Sequence, residues 1–280
     1  MTISAGYRFK KRILGVFRVL IILMLVCFFL FPVYWLAATS LKQKIAMFEL
    51  PPQWIFTPTL TNFKYIFTTM PVVQWTFNSS SISLGTMVIS LLLGVPAGYA
   101  FSRVKFRGKH TLLMFILLTR ALPPIIIVLP FRVIMQAVGL FGTRTAVILL
   151  DTVYNSAFTA WLMSGIFENI PVDLEEAAII DGCTPVQAFL KVAIPLSKPG
   201  LVTSALFAFI FSWNDFLFAL TLTAPETATL PLGMLSTYGQ LSVGWTYMAA
   251  MGGFAIIPVI LISLLLQRYY VSGLTFGGVK

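Results

Sequence analysis

Six stretches of this 280-residue chain are apolar for long enough to cross a bilayer: about 14–38, 75–101, 111–136, 144–166, 201–222 and 245–269. A membrane helix needs roughly 20 predominantly apolar residues, and inside lipid every backbone polar group must find its partner within the protein. The runs therefore predict an all-α polytopic membrane protein. Composition agrees, with 58% hydrophobic and 10% charged residues and a mean hydropathy of +0.92, whereas soluble domains carry about 25% charged residues. Gly94, Pro96, Gly98, Pro123, Pro124, Pro130 and Pro258 interrupt the runs. Membrane helices tolerate such residues where neighbouring helices re-satisfy the backbone, which suits a packed bundle.

Lys and Arg outnumber Asp and Glu by 19 to 9. In a soluble chain such an excess suggests nucleic acid, but these cations flank apolar runs, the pattern that sets membrane orientation. Arg8, Lys10, Lys11, Arg12, Arg18, the "SRVKFRGK" loop at 102–109, Lys191, Lys198 and Arg268 fall on one side. Lys42, Lys44, Lys64 and Arg144 fall on the other. The larger set predicts that both termini and the 102–110 and 167–200 loops are cytoplasmic in a multi-pass inner-membrane protein. The first run exceeds a signal-peptide core of about 7–15 residues and no convincing A-x-A site follows, so it reads as a retained span. Cys27 and Cys183 lie in different segments and predict no disulfide. His110 has no neighbouring ligand, so no metal site is expected.

The acids are unevenly placed. Glu168, Asp173, Glu175, Glu176 and Asp181 crowd one short stretch between two apolar runs. Pro171 and Asp173 predict a helix start, with Glu176 three residues on as in a capping box. Gly182 breaks that helix. Thr184-Pro185-Val186-Gln187 then predicts a second start, with a Thr cap, Pro at the first position and Gln at the box position. Pro195 and Pro199 are expected to stop it before the fifth run. A solvated connector and a partner-facing knob with Ala177, Ala178, Ile179 and Ile180 beside its acids both fit this pattern.

The order "EEAAIIDGCTPVQAFLKVAIPLSKPG" (175–200) resembles the EAA loop of permease subunits in binding-protein-dependent ABC importers. Glu176-Ala177-Ala178, Asp181-Gly182, Phe189, Ile194-Pro195 and Pro199 carry the likeness; Cys183 departs from the usual Ala. "NSSSISLGTMVISLLLGVPAGYAFSRVKFRGK", "SWNDFLFAL" and the terminal "GLTFGGVK" resemble the sugar-importer branch, with the second permease subunit of maltose-like systems as the nearest type. The resemblance implies a type I importer transmembrane domain of six helices with a cytoplasmic coupling helix. It divides into 1–70 (first span and outer segment) and a five-span core over 71–280 holding the EAA loop at 167–200. It also implies coupling to an ATPase through Glu175, Glu176, Ala177, Ala178, Asp181, Gly182 and Pro195, and a tail contact through Gly277, Gly278 and Lys280. The implied partners are a second permease, an ATPase dimer, an extracytoplasmic solute-binding protein and a sugar. No P-loop pattern occurs, so ATP and Mg are expected on the separate ATPase and no cofactor on this chain.

Polar residues inside the runs are functional candidates because they are costly there. Arg120 precedes Pro123-Pro124. Asp151, Tyr154 and Asn155 share a helical face, with Phe158 and Thr159 nearby. Asn214 and Asp215 lie in the fifth run. These groups could meet sugar hydroxyls; alternatively an Arg120–Asp151 or Arg120–Asp215 ion pair could fasten helices. The 222–244 loop is long enough to touch a binding protein, or else hugs the membrane, and 39–74, with Trp54, Phe56 and Phe63, is expected along the outer face. The functional expectation is a non-enzymatic carbohydrate permease subunit. The same importer type for a polyol, a glycerol phosphate or another solute, or a stand-alone secondary transporter, are the alternatives; the last often carries internal repeats, and none is visible.

Overall fold

The computed structural model describes residues 5–47, 49–238 and 244–275, with side chains described between residues 14 and 267. In chain order the helices are α1 (Ala5–Leu41), α2 (Thr61–Thr69), α3 (Val72–Arg103), α4 (Lys109–Leu118), α5 (Pro124–Ala137), α6 (Arg144–Glu168), α7 (Asp173–Ile180), α8 (Pro185–Ala188), α9 (Ile194–Leu196), α10 (Lys198–Trp213), α11 (Leu217–Leu222), α12 (Leu230–Gly233) and α13 (Trp245–Thr275). The described residues form no named strand; Gly142 and Thr223 make an isolated parallel bridge.

Four helices are long and apolar enough to span on their own: α1 from Leu14, α3, α6, and α13 to Gln267. The third and fifth runs are not continuous helices, which corrects the expectation. In the third, α4 runs into a 3₁₀ turn at Thr119–Ala121, and the helical stretches Lys109–Ala121 and Pro124–Ala137 meet at 87°. Pro123 and Pro124 offer no N–H to the preceding turn, and Pro also forces the residue before it out of the helical region. In the fifth, α10 has 16 residues, about 24 Å of helix, and stops at Asn214. The Asp215 carboxylate accepts from the N–H groups of Phe218 (3.4 Å) and Ala219 (3.0 Å) and so starts α11 afresh. A short acidic side chain competes here with the helix's own carbonyls.

Two compact units arise. One comprises 1–70 and 237–254, the other 71–236 and 255–280. In the first, Asn62 Nδ2 donates to the carbonyls of Ser40 and Lys42, each at 2.8 Å, fixing the turn after α1. Lys42 Nζ lies 5.2 Å from the Trp35 ring centroid and 5.1 Å from that of Phe56. Tyr65 stacks on Tyr247 at 4.2 Å.

In the second unit α3, α6 and α10 pack on one another. Lipid is as apolar as leucine, so close packing rather than escape from water drives such association. "GVPAG" supplies it. A Cβ at Gly94 would stand 2.6 Å from Thr159 Cβ, and one at Gly98 would stand 2.8 Å from the Ala160 carbonyl oxygen. At Gly200 it would meet Ile166 Cδ1 at 2.3 Å. Only glycine lets α3 and α10 come this near α6. Near the first turns of α3, Asn78 Nδ2 donates to the carbonyls of Glu226 (3.0 Å) and Ala228 (2.9 Å), and Ser79 Oγ accepts from Leu230 N (2.9 Å). The 223–236 stretch is thus folded onto this unit rather than free, while 239–243 of the same loop lies outside the described residues.

Candidate functional site

Two polar sites stand at different heights along α3 and α6. At the Arg103 end is the acidic loop. Helix α7 begins at Asp173 as expected, but its cap is Val172, with no side-chain cap bond. The Asp173–Glu176 box does not form. With Val172 capping, Glu175 rather than Glu176 occupies the third helical position, one residue away from the predicted register. Gly182 does end the helix, with φ at +94°, where side chains other than glycine's are strained. The second box is present: Thr184 Oγ1 accepts from Gln187 N at 3.3 Å, and Gln187 Oε1 accepts from Thr184 N at 2.9 Å.

Pro195 does not stop this segment. Phe189–Ala193 forms a π-helical turn in which Ile194 N donates to the Phe189 carbonyl, and Pro195 lies beyond it within α9. The wider turn accommodates a residue that has no N–H of its own. The direction changes two residues after Pro195, at Ser197, where Pro185–Leu196 meets Lys198–Trp213 at 78°. Pro199 sits in the first turn of α10.

Exposure divides the loop candidates. Glu176, Ala177, Asp181, Gly182 and Pro195 face outward, Ala178 is half-buried, and Ile180 is 85% exposed. Glu175 is 4% exposed, so it is not part of a docking rim, contrary to the reading of the acids as a common outer edge. Its Oε1 accepts from Arg103 Nη2 at 2.6 Å and Nε at 2.9 Å, and its Oε2 accepts from the Tyr99 hydroxyl. Sequence reasoning passed over Arg103, which reads as one more membrane-flanking cation, and Tyr99. No pattern in the order of residues marks either of them as a partner of Glu175, more than seventy positions away. Gly277, Gly278 and Lys280 lie outside the described residues.

The second site lies inside the bundle. Asp151 and Asn155 are buried, and Tyr154 half-buried, on one face of α6. Ser212 Oγ donates to Asp151 Oδ2 at 2.6 Å, and Asn155 Nδ2 donates to the Asp151 carbonyl at 3.0 Å. Thr159 Oγ1, Tyr154 Oη and Asn155 Oδ1 are buried without a hydrogen-bond partner. Arg120 sits at the break between α4 and α5. Its guanidinium carbon stands 4.5 Å from the Phe211 ring centroid and 5.0 Å from that of Phe158, and Nη1 is buried without a partner. The ion pairs among the described residues include Arg103–Glu175 and Lys109–Glu168. Arg120 packs on aromatic faces and makes no contact ion pair with Asp151 or Asp215, although its charge still attracts the Asp151 carboxylate. The direct fastening of α10 to α6 is the Ser212–Asp151 hydrogen bond. Asp215, one residue before the Phe216 cap, accepts from the first-turn N–H groups of α11, and Asn214 Nδ2 returns to the Ile210 carbonyl at 2.8 Å. Neither of these two is brought onto the Asp151 face by a hydrogen bond. The described residues hold no group of His, Cys, Asp and Glu suited to a metal.

A broken-helix bundle with buried polar groups along α6 and an exposed acidic helix beside a basic loop describes a membrane transport subunit. The profile of the binding-protein-dependent transport system inner membrane component family matches residues 90–275, and the chain belongs to that family of multi-pass membrane permeases. It is 41% identical over 256 residues to the trehalose transport system permease SugB of Mycobacterium tuberculosis, covering 90% of this chain and 92% of that one. Identity to the probable ABC transporter permease y4oR of Sinorhizobium fredii is 37% over 252 residues, covering 90% and 91%. Among solved structures, a subunit of a bacterial ABC transporter that imports the acidic polysaccharide alginate superposes with a TM-score of 0.76 at 25% identity, over 96% of this chain and 99% of that one. The fold is that of type I importer transmembrane subunits.

Proposed function

We propose that the chain is the permease subunit of an ATP-driven importer for a sugar or sugar derivative, forming half of the path with a second permease. An extracytoplasmic binding protein delivers the cargo, and a separate ATPase dimer carries ATP and Mg. Both termini and the acidic loop lie on the cytoplasmic side, as the distribution of Lys and Arg favours. The observation that carries this reading is the outward face of α7. Glu176, Ala177, Ile180 and Asp181 are presented to solvent on a helix ended by Gly182 and continued by a capped second helix. A large exposed apolar residue ringed by acids suits a soluble partner rather than lipid. The relatives that move trehalose and alginate support a carbohydrate cargo.

The test is to purify the complex with Glu176→Lys in place. The ATPase should dissociate and ATP-dependent uptake should be lost while the chain remains inserted. Retained ATPase and undiminished uptake would remove the assignment.

One observation favours a narrower cargo. The Nη1 of Arg120 has no partner at the break in the third run, and a desolvated guanidinium pairs strongly with a carboxylate or sulfonate. An acidic sugar derivative is the second reading. Competition of uptake by acidic against neutral sugars separates the two.

A further inference from the structure

Glu175 stands apart from the other acids of its loop because both of its oxygens are engaged by α3. Arg103 places Nε and Nη2 on Oε1, Tyr99 places its hydroxyl on Oε2, and Arg103 Nη2 also reaches the Ile170 carbonyl at 3.0 Å. The side chains of Arg103 and Glu175 are 13% and 6% exposed. The Tyr99 ring is itself held by Phe189 of the π-turn at 4.5 Å and Phe167 of α6 at 5.4 Å. The end of α3, the turn before α7, α7 itself and the segment beyond Gly182 thus meet at one carboxylate.

A connector has no need of this arrangement. Desolvating two charges offsets most of what their attraction contributes, so a buried pair is weak evidence of stability and better evidence of a specified geometry. The rest of α3 extends that geometry. One turn and a half before Arg103, Gly98 lies against the backbone of α6 at Ala160, and Gly94 lies against Thr159. Further along α6 is Asp151, hydrogen-bonded to α10.

We infer that the Tyr99–Arg103–Glu175 cluster is a load-transmitting joint, which makes α7, α3 and α6 a single lever. A displacement imposed on the outer face of α7 passes through the carboxylate to α3, and through the glycine contact to the polar face of α6. Glu175 is then a positioning residue and not a contact for the ATPase. This rests on the reading of α7 as the ATPase-facing helix.

The experiment uses the whole transporter in proteoliposomes, with its partner permease, ATPase and binding protein, and reads cargo moved per ATP hydrolysed. Glu175→Gln and Tyr99→Phe keep size and shape. Each should lower that ratio by about fivefold or more, the usual scale of a broken coupling, with the ATPase still bound and still turning over. Arg103→Gln combined with Glu175→Gln should be no worse than either alone, since all three variants remove the same joint. A ratio equal to the parent's in Glu175→Gln and Tyr99→Phe would overturn the inference. So would release of the ATPase by Glu175→Gln, which would return Glu175 to the docking surface. Glu176→Lys run beside them separates the two readings. If it leaves ATPase binding intact, the docking assignment of α7 fails; if it releases the ATPase while Glu175→Gln stays fully coupled, only the joint fails. Should Arg103→Gln not assemble, spin labels on Ala177 and Ser102 provide a second measure. Their distance distribution should broaden in Glu175→Gln, and an unchanged distribution would overturn the joint.

Discussion

Ser212 Oγ donates a 2.6 Å hydrogen bond to Asp151 Oδ2, tying α10 to α6 within the bundle. Asp151 is 3% exposed, and among the described residues the direct side-chain hydrogen bond to its carboxylate is that from Ser212, Arg120 acting on it without contact. The hydroxyl is therefore its main local compensation. Ser212→Ala should lower the stability of the purified complex by about 1–3 kcal/mol, the usual cost of leaving a buried polar group short of a partner. Asp151→Asn with Ser212→Ala should cost less than the sum of the single changes, as expected for groups in contact. Thermal unfolding in detergent measures both.

Asp151→Ala carries a separate expectation. If the α6 face lines the path, the KM for cargo should rise while ATP hydrolysis in the absence of binding protein is unchanged. Uptake measured over a cargo concentration series would reveal this, and an unaltered series would assign Asp151 to fastening alone.

Gly98 and Gly165 should respond in opposite directions. Gly98→Val sets carbon into the backbone of α6 and should prevent assembly or cost more than the roughly 1–3 kcal/mol typical of overpacking. Gly165 lies on an open face of α6, with nothing within 4 Å of a Cβ. Gly165→Ala should be neutral or stabilising by up to about 1 kcal/mol, the helix-propensity difference. Yield and melting temperature of the two variants decide.

Thr184→Ala removes half of the box at the start of α8 and should loosen that helix by about 1 kcal/mol. Hydrogen exchange at the amide of Gln187, which donates to Thr184 Oγ1, should accelerate several-fold on that scale of free energy. Transport should fall less than in Glu176→Lys, because the outer face of α7 is left intact.

The long spans were legible because a hydropathy window averages over about 20 residues. The same averaging hides Pro123-Pro124 and Asn214-Asp215, and so the third and fifth runs read as single helices. Thr184 and Gln187 announced their box because all its partners lie within four residues. Asp173 and Glu176 made the same pattern one position out of register, which only the backbone reveals: the preceding Pro171-Val172 turn decides which residue caps. The inward turn of Glu175 depends on Arg103 and Tyr99, more than seventy positions earlier. Pattern reading along the chain has no access to such a pairing. Arg120 was read as a candidate for an ion pair, yet the rings of Phe158 and Phe211 stand over it instead, and aromatic faces attract guanidinium groups well in dry surroundings.

The break at Leu122–Pro124 has a further consequence for permeation. In an uninterrupted helix the carbonyls of Thr119 and Arg120 would receive the amides of residues 123 and 124, and both of those are prolines. The 3₁₀ turn at Thr119–Ala121 folds back on the Thr119 carbonyl, whereas the Arg120 carbonyl faces prolines at both the third and the fourth following positions and leaves the helical ladder. A hydroxylated solute entering from water must shed part of its hydration shell, and each unreplaced hydrogen bond costs on the order of a few kcal/mol. A carbonyl acceptor and a cationic donor at one depth can replace some of that shell. Where the proposed path passes this break, the acceptor left free by the two prolines beside Arg120 would lower the solvation barrier for a hydroxylated cargo.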